Sequence, residues 1–139
     1  MLARVLISLS SFNNLLLGSI HLLYTFWGNK LAPRDPAVQE AMSATPMVLT
    51  PETTVWRAWV GFNASHSICA MFCAMIFGFL AVSHPVLLFR SVYLQLLGAA
   101  LLAGFVVLAK LYWFSVPLMG VTLALVCFLS GIAAARMWQ

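Results

Sequence analysis

Polar side chains inside two apolar segments are the residues of this sequence best suited to chemistry. Asn14 and His21 are seven residues apart in the first segment, and Asn63 precedes His66 by three residues and Ser67 by four in the second. Each set therefore shares one face of a helix. Ionisable and amide side chains within a membrane span are candidates for function, so these five residues, with Arg57 at the mouth of the site, form the predicted ligand-binding set.

The two histidines are expected at the same depth in a membrane. His21 precedes Trp27 by six residues and His66 follows Trp59 by seven, which places them roughly 9 Å and roughly 10 Å below the interface that these tryptophans mark. Two facing histidines would ligate the iron of a haem or another tetrapyrrole, ligate a metal, or donate hydrogen bonds to a quinone or pigment. The alternative is that the polar groups bond one another across the helices and serve packing.

A second set with possible ligand chemistry is His66, Cys69 and Cys73. Offsets of three and seven residues put these side chains on one helical face. Thiolates select soft metals such as Cu(I), and imidazole joins them readily. A single helix cannot close a tetrahedral site, and cysteine is also a common small apolar residue in helices. The metal-site hypothesis therefore needs a further ligand from a second element.

Arg57 is expected at the level of the lipid head groups, next to Trp56. A guanidinium there would bind a lipid phosphate or an anionic substrate. The alternatives are an ion pair with a loop carboxylate (Asp35, Glu40 or Glu52) or an extended side chain that reaches the head groups. No pair of intramembrane carboxylates, no HExxH motif and no glycine-rich phosphate loop occurs in the sequence, so no motif identifies a reaction.

The composition shows which elements must carry these residues. Of the 139 residues, 63% are hydrophobic and 7% are charged, with a mean hydropathy of +1.01, whereas soluble domains carry about 25% charged residues. Such a chain is an integral membrane protein with the lipid bilayer as its first partner. The net charge of +4 comes from seven basic and three acidic residues. No basic cluster is present, so nucleic-acid binding is not expected.

Four spans of about 20 residues account for nearly the whole chain. They are predicted at about residues 5–27, 55–82, 88–109 and 116–137, with a polar loop at 28–54, in one membrane domain over residues 1–139. Asp35 and Pro36 predict the start of a short interfacial helix, which Pro46 ends. Thr50 and Pro51 predict a second helix start, outside the bilayer, that leads into span two. The expected fold class is all-α, a four-transmembrane-helix bundle with a short interfacial helix in the first loop.

Small residues at four-residue spacing predict close helix packing. These sets are Ala70, Ala74 and Gly78 in span two, Ala100 and Gly104 in span three, widened by Gly98, Ala99 and Ala103, and Gly120 with Ala124 and Gly131 with Ala135 in span four. Trp138, together with Arg136, is expected to mark the end of span four.

An even number of spans puts both termini on one side of the membrane. The basic residues expected on that side are Arg4, Arg90 and Arg136, and those expected on the other are Lys30, Arg34, Arg57 and Lys110. Three against four is nearly balanced under the positive-inside rule. The first three lie in short segments free of acids, so we predict that the termini are cytoplasmic.

The run VLTPETTVWRAWVGFNASHS, with KLAPRDP before it and YWF after it, resembles an uncharacterised family of small four-span bacterial membrane proteins. The resemblance covers nearly the whole chain, implies four spans and a bacterial inner-membrane location, and carries no activity. A looser similarity to membrane glutathione transferases fails at their Arg-Ala-x-x-Asn-x-x-Glu pattern. Here Asn63 follows Arg57-Ala58 two residues too late, and His66 stands where an acid is needed.

Two functions remain open from the sequence. The first is a small non-catalytic membrane subunit or accessory protein that packs against other membrane subunits or against itself, with a lipid or pigment held between helices. The alternative is a membrane redox or lipid-modifying protein with a haem, quinone or lipid site between spans one and two.

Overall fold

A computed structural model describes residues 1–137, and every regular element in that part of the chain is a helix. The helices are α1 (Leu2–Phe26), α2 (Pro36–Ala44), α3 (Val55–Ser83), α4 (Pro85–Arg90), α5 (Val92–Tyr112) and α6 (Ser115–Met137). Four of them, α1, α3, α5 and α6, are long and apolar enough to cross a membrane. The predicted all-α four-helix bundle of an integral membrane protein is confirmed. Trp138 lies outside the described residues.

The short helix of the first loop starts where its sequence predicts. The Asp35 side chain accepts a hydrogen bond from Ala37 N at 2.9 Å, and Pro36 is the first helical residue. The helix ends at Ala44, where the backbone N–H of Thr45 donates to Ala41 O. No residue of α2 is buried, as expected of a helix on the surface of the protein.

The start of α3 differs in detail from the prediction. Thr50 accepts a hydrogen bond from Glu52 N at 3.2 Å, but this closes only a turn. The chain next forms an antiparallel bridge between Pro46 and Thr54, and α3 begins only at Val55. Thr50 therefore makes the predicted hydrogen bond, but in a turn. The bridge between Pro46 and Thr54 follows this turn, and α3 begins after it at Val55.

The third predicted span is divided at Ser91. Pro85 starts the six-residue helix α4, and Ser91 then caps α5 by accepting from Leu94 N at 3.3 Å. Gln95 Nε2 donates to the carbonyls of Leu88 (3.2 Å) and Phe89 (2.8 Å). The buried Gln95 amide thus satisfies carbonyls that the end of α4 leaves without helical partners.

The described residues group into two compact units. The first comprises Met1–Leu17 and the chain from Ala70 onward, and the second comprises Gly18–Cys69. The core of the first unit is centred on Phe128, which is 1% exposed and meets the Phe77 ring edge to face at 5.3 Å. Both rings lie over Gly98, where a Cβ would come within 2.4 Å of Phe128 Cζ. Gly98 is therefore required by close packing.

The predicted small-residue sets differ in their burial within the first unit. Ala70, Ala74 and Ala124 are buried, and a Cβ at Gly131 would lie 2.9 Å from the Ile7 side chain. Ala100 and Gly104, by contrast, are exposed. One predicted packing face of α5 thus points away from the core of its own unit.

Polar side chains of α1 join helices of the first unit. Ser10 Oγ donates to Ala124 O at 2.7 Å, and Asn13 Nδ2 donates to Gly120 O at 2.7 Å. Throughout residues 1–137, no inaccessible side-chain nitrogen or oxygen lacks a hydrogen-bond partner. The packing role considered for the intramembrane polar residues is therefore met by these α1 side chains.

Candidate functional site

The second unit brings the predicted residues His21 and Asn63 into direct contact. His21 lies in the C-terminal part of α1, and Asn63 lies two turns into α3. The distance between His21 Nε2 and Asn63 Oδ1 is 2.9 Å. This hydrogen bond joins α1 and α3 within the second unit.

Asn63 determines which nitrogen of His21 carries the proton. Its Nδ2 donates to Trp59 O at 2.8 Å, one turn earlier in α3. Its Oδ1 therefore faces His21 and accepts, so the Nε2 of His21 is the donor. A neutral His21 ring then has its lone pair on Nδ1.

His66 completes what we call the histidine cluster, namely His21, Asn63 and His66. The two imidazole rings lie with their centroids 5.6 Å apart and their planes at 76°, an edge-to-face contact. Both side chains are half-buried. The two histidine rings therefore face each other in the second unit, and their common depth in the membrane stays a prediction.

Ser67 and Asn14 lie outside the histidine cluster's side-chain contacts. Ser67 is fully buried, and its Oγ donates to Asn63 O at 2.9 Å, a bond within α3. Asn14 belongs to the first unit, where its Nδ2 donates to Ala70 O at 3.3 Å. Both side chains are therefore engaged with helix backbone, as packing residues in a membrane are.

The loop contributes to the second unit through a residue that sequence reasoning treated only as an interface marker. Trp59 Nε1 donates to Leu31 O at 3.1 Å, and Trp59 O holds the Asn63 amide. The four-residue spacing between Trp59 and Asn63 was the available signal. Trp59 thus links the loop backbone to the Asn63 amide that orients His21.

Arg57 lies in the first turn of α3 and its side chain is exposed. Its backbone N–H bonds Thr54 Oγ1 at 3.4 Å. Binding of a phosphate or another anion by this guanidinium stays a prediction.

The geometry gives the proposed metal site no support. Cys69 is exposed, Cys73 is half-buried, and neither is part of a disulfide bond. Within residues 1–137, no group of three or more His, Cys, Asp or Glu side chains is placed to hold a metal ion. The set of His66, Cys69 and Cys73 therefore stays a sequence-based hypothesis.

A tetrapyrrole between the two histidines does not fit this arrangement. A bis-histidine haem requires the macrocycle to lie between the two axial rings, whereas His21 and His66 touch edge to face. The Nε2 of His21 is also committed to Asn63. The cluster is better suited to hydrogen bonding than to axial ligation.

Comparison with known proteins supplies no analogy for this cluster. No protein-family model, no curated protein and no solved structure matches the chain. The function has to be argued from the chain's own residues.

Proposed function

We propose that this protein is a small non-catalytic membrane subunit or accessory protein that packs against other membrane proteins, or against a second copy, through one face of α5. We call this the outer α5 face and define it by Ala100 and Gly104. The observation that carries the proposal is the open space at Gly104, where a Cβ would meet no atom within 4 Å. Gly98, on the same helix, is covered by the Phe128 and Phe77 rings.

Helix association in lipid favours such a surface. Lipid tails are as apolar as leucine, so burying large apolar side chains gives little driving force in a bilayer. Small residues instead let two helix backbones approach closely. Glycine inside a helix is less favourable than alanine by about 1 kcal/mol in water, so an exposed intrahelical glycine needs a reason. A partner helix seated over Ala100 and Gly104 supplies one.

The filled interior of the first unit supports a non-catalytic role. The space bordered by Ser11, Asn14 and Phe77 has a volume of about 20 Å³, which is enough for about one water molecule. Ser10 and Asn14, beside it, are engaged in hydrogen bonds to helix carbonyls. A space of this size has no room for a substrate.

The test is a pair of substitutions at one position of the full chain. Gly104→Leu places a bulky side chain on the outer α5 face, whereas Gly104→Ala keeps the face small. We expect Gly104→Leu to weaken association by about tenfold or more, equivalent to about 1.4 kcal/mol, and Gly104→Ala to leave it nearly unchanged. The measurement is cross-linking in native membranes, followed by identification of the cross-linked chains.

Val126→Leu is the matched control, because it adds bulk at an exposed position of α6. The proposal fails if the wild-type chain forms no cross-linked species, or if Gly104→Leu and Val126→Leu behave alike. As part of the same proposal, we place the protein in a bacterial inner membrane, on the resemblance of the stretch around Arg57.

A second candidate function is favoured by the contact between His21 and His66 at 5.6 Å. In this alternative, the protein has a redox or lipid-modifying role with a quinone or lipid at the histidine cluster. An absorption spectrum of the purified protein separates this alternative from a haem site, which the edge-to-face contact of the two rings does not fit. We expect no Soret band, and a Soret band that disappears in His21→Ala or His66→Ala would contradict a quinone or lipid site at the cluster.

A further inference from the structure

We propose that the histidine cluster binds the hydroxyl group of a membrane-soluble amphiphile, with His21 Nδ1 as the hydrogen-bond acceptor. The inference does not depend on association through the outer α5 face. It narrows the second candidate function by naming the group that the ligand must present.

One nitrogen of the His21 ring is a hydrogen-bond donor and the other is an acceptor. Asn63 Nδ2 is held by Trp59 O at 2.8 Å, so its Oδ1 accepts from His21 Nε2 at 2.9 Å. The carboxamide cannot turn over without losing its bond to Trp59 O. In the neutral ring, Nδ1 is therefore an acceptor.

The hydrogen bonds of the His21 ring show that its Nδ1 atom is accessible. Within residues 1–137, the hydrogen bond to Asn63 is the one made by the His21 ring. Every inaccessible side-chain nitrogen or oxygen of this part of the chain has a partner. The Nδ1 atom, which has none there, is therefore not fully enclosed by the protein.

The surroundings of His21 Nδ1 are expected to be apolar. His21 lies six residues before Trp27, and this spacing predicts a depth of roughly 9 Å below the interface that Trp27 is expected to mark. Water is scarce at that depth, and an acceptor left without a donor in an apolar medium is unfavourable. A ligand that brings a donor to this depth recovers that cost, and its remainder must be apolar.

Because His21 Nδ1 accepts a hydrogen bond, it distinguishes ligands that carry a hydrogen-bond donor from similar ligands that carry only acceptors. A hydroxyl group donates to the lone pair, whereas a carbonyl or carboxylate oxygen only accepts and cannot pair with it. The distinction holds for the neutral ring, whose lone pair lies on Nδ1. Two sources share the required chemistry, the reduced head group of a quinol and the free hydroxyl of an acylglycerol.

The experiment uses the full chain in nanodiscs at pH 8 and measures binding by calorimetry. The probes are a short-chain ubiquinol, the corresponding ubiquinone and dioctanoylglycerol. We expect at least one hydroxyl probe to bind, and the quinone to bind at least tenfold more weakly than the quinol if the quinol binds. Binding of the quinol alone identifies the quinol class, and binding of dioctanoylglycerol alone identifies the acylglycerol class.

His21→Ala should weaken binding of the active probe by at least tenfold, and Ser65→Ala, at an exposed position of α3 whose hydroxyl bonds Phe62 O, should leave it unchanged. Nitrogen NMR of the histidine-labelled wild type tests the same contact without a mutation, because the unprotonated nitrogen of His21 should shift on binding. The inference is overturned if no hydroxyl probe binds, if quinone binds as tightly as quinol, or if His21→Ala and the NMR resonance show no change.

Discussion

At the scale of single residues, Asn63 decides what the histidine cluster can do. Its amide accepts from His21 and donates to Trp59 O, so both ends of the side chain are engaged. The Ser67 hydroxyl donates to the backbone carbonyl of Asn63 and so stabilises the same turn of α3. An aspartate would lack the donor for Trp59 O, and a leucine would leave the His21 N–H without a partner. The amide is therefore the side chain of this size that suits both neighbours.

Asn63→Leu is expected to destabilise the protein by about 1 kcal/mol, because the His21 Nε2–H loses its acceptor. The double variant His21→Leu with Asn63→Leu should recover most of that loss, because both polar partners are then gone. Unfolding of the purified variants, followed by circular dichroism, measures both effects. Equal stability of the wild type and Asn63→Leu would show that the hydrogen bond contributes nothing measurable.

At the scale of elements, α5 presents two faces with opposite requirements. Gly98 lies on the inner face, where Phe128 and Phe77 meet edge to face at 5.3 Å. Gly104 lies six residues later on the exposed face with open space around it. Both glycines are small residues in an apolar helix, but only the first is explained by packing within its own unit.

A matched pair of substitutions separates these two faces. Gly98→Ala should destabilise the fold by about 1–3 kcal/mol, because its Cβ would come within 2.4 Å of the buried Phe128 ring. Gly104→Ala should be neutral or stabilising by up to about 1 kcal/mol through helix propensity. Unfolding free energies of the monomeric variants in detergent test this. An equal effect at both positions would contradict the assignment of the faces.

At the scale of the whole molecule, the four membrane helices determine the topology. Basic side chains near the helix ends of the first unit are partly engaged in its structure. Arg4 donates to the carbonyls of Ala81 and Val82 at the end of α3, and Arg136 donates to Gln95 Oε1 at 3.2 Å. Arg4 thus binds carbonyls at the end of α3, and Arg136 holds the Gln95 amide that bonds the carbonyls at the end of α4.

We predict that the termini are cytoplasmic. A green fluorescent protein fused after Gln139 should fluoresce, and alkaline phosphatase at the same position should be inactive. A phosphatase inserted between Asn29 and Lys30, in the first loop, should be active. Fusions with the reverse pattern would place the termini on the outer side and reassign the loop to the cytoplasm.

Several features follow from the sequence because they depend on local physics. The length of each apolar run sets the number of spans, and a capping carboxylate before proline starts α2 at Pro36. The expected depth of His21 and His66 in the membrane follows from the number of residues that separate them from Trp27 and Trp59 along their helices. None of these requires knowledge of which helices are neighbours.

Other features were decided only by tertiary structure. Thr50 carries a helix-start signal, but the bridge of the returning loop moves the start to Val55. Which small-residue set faces inward depends on where Phe128 packs, and periodicity shows only that a set exists. The tautomer of His21 likewise depends on the orientation of a neighbouring amide. The sequence determined the helices because these are properties of one segment, whereas the partner of each polar group and the face that remains open are properties of several segments brought together.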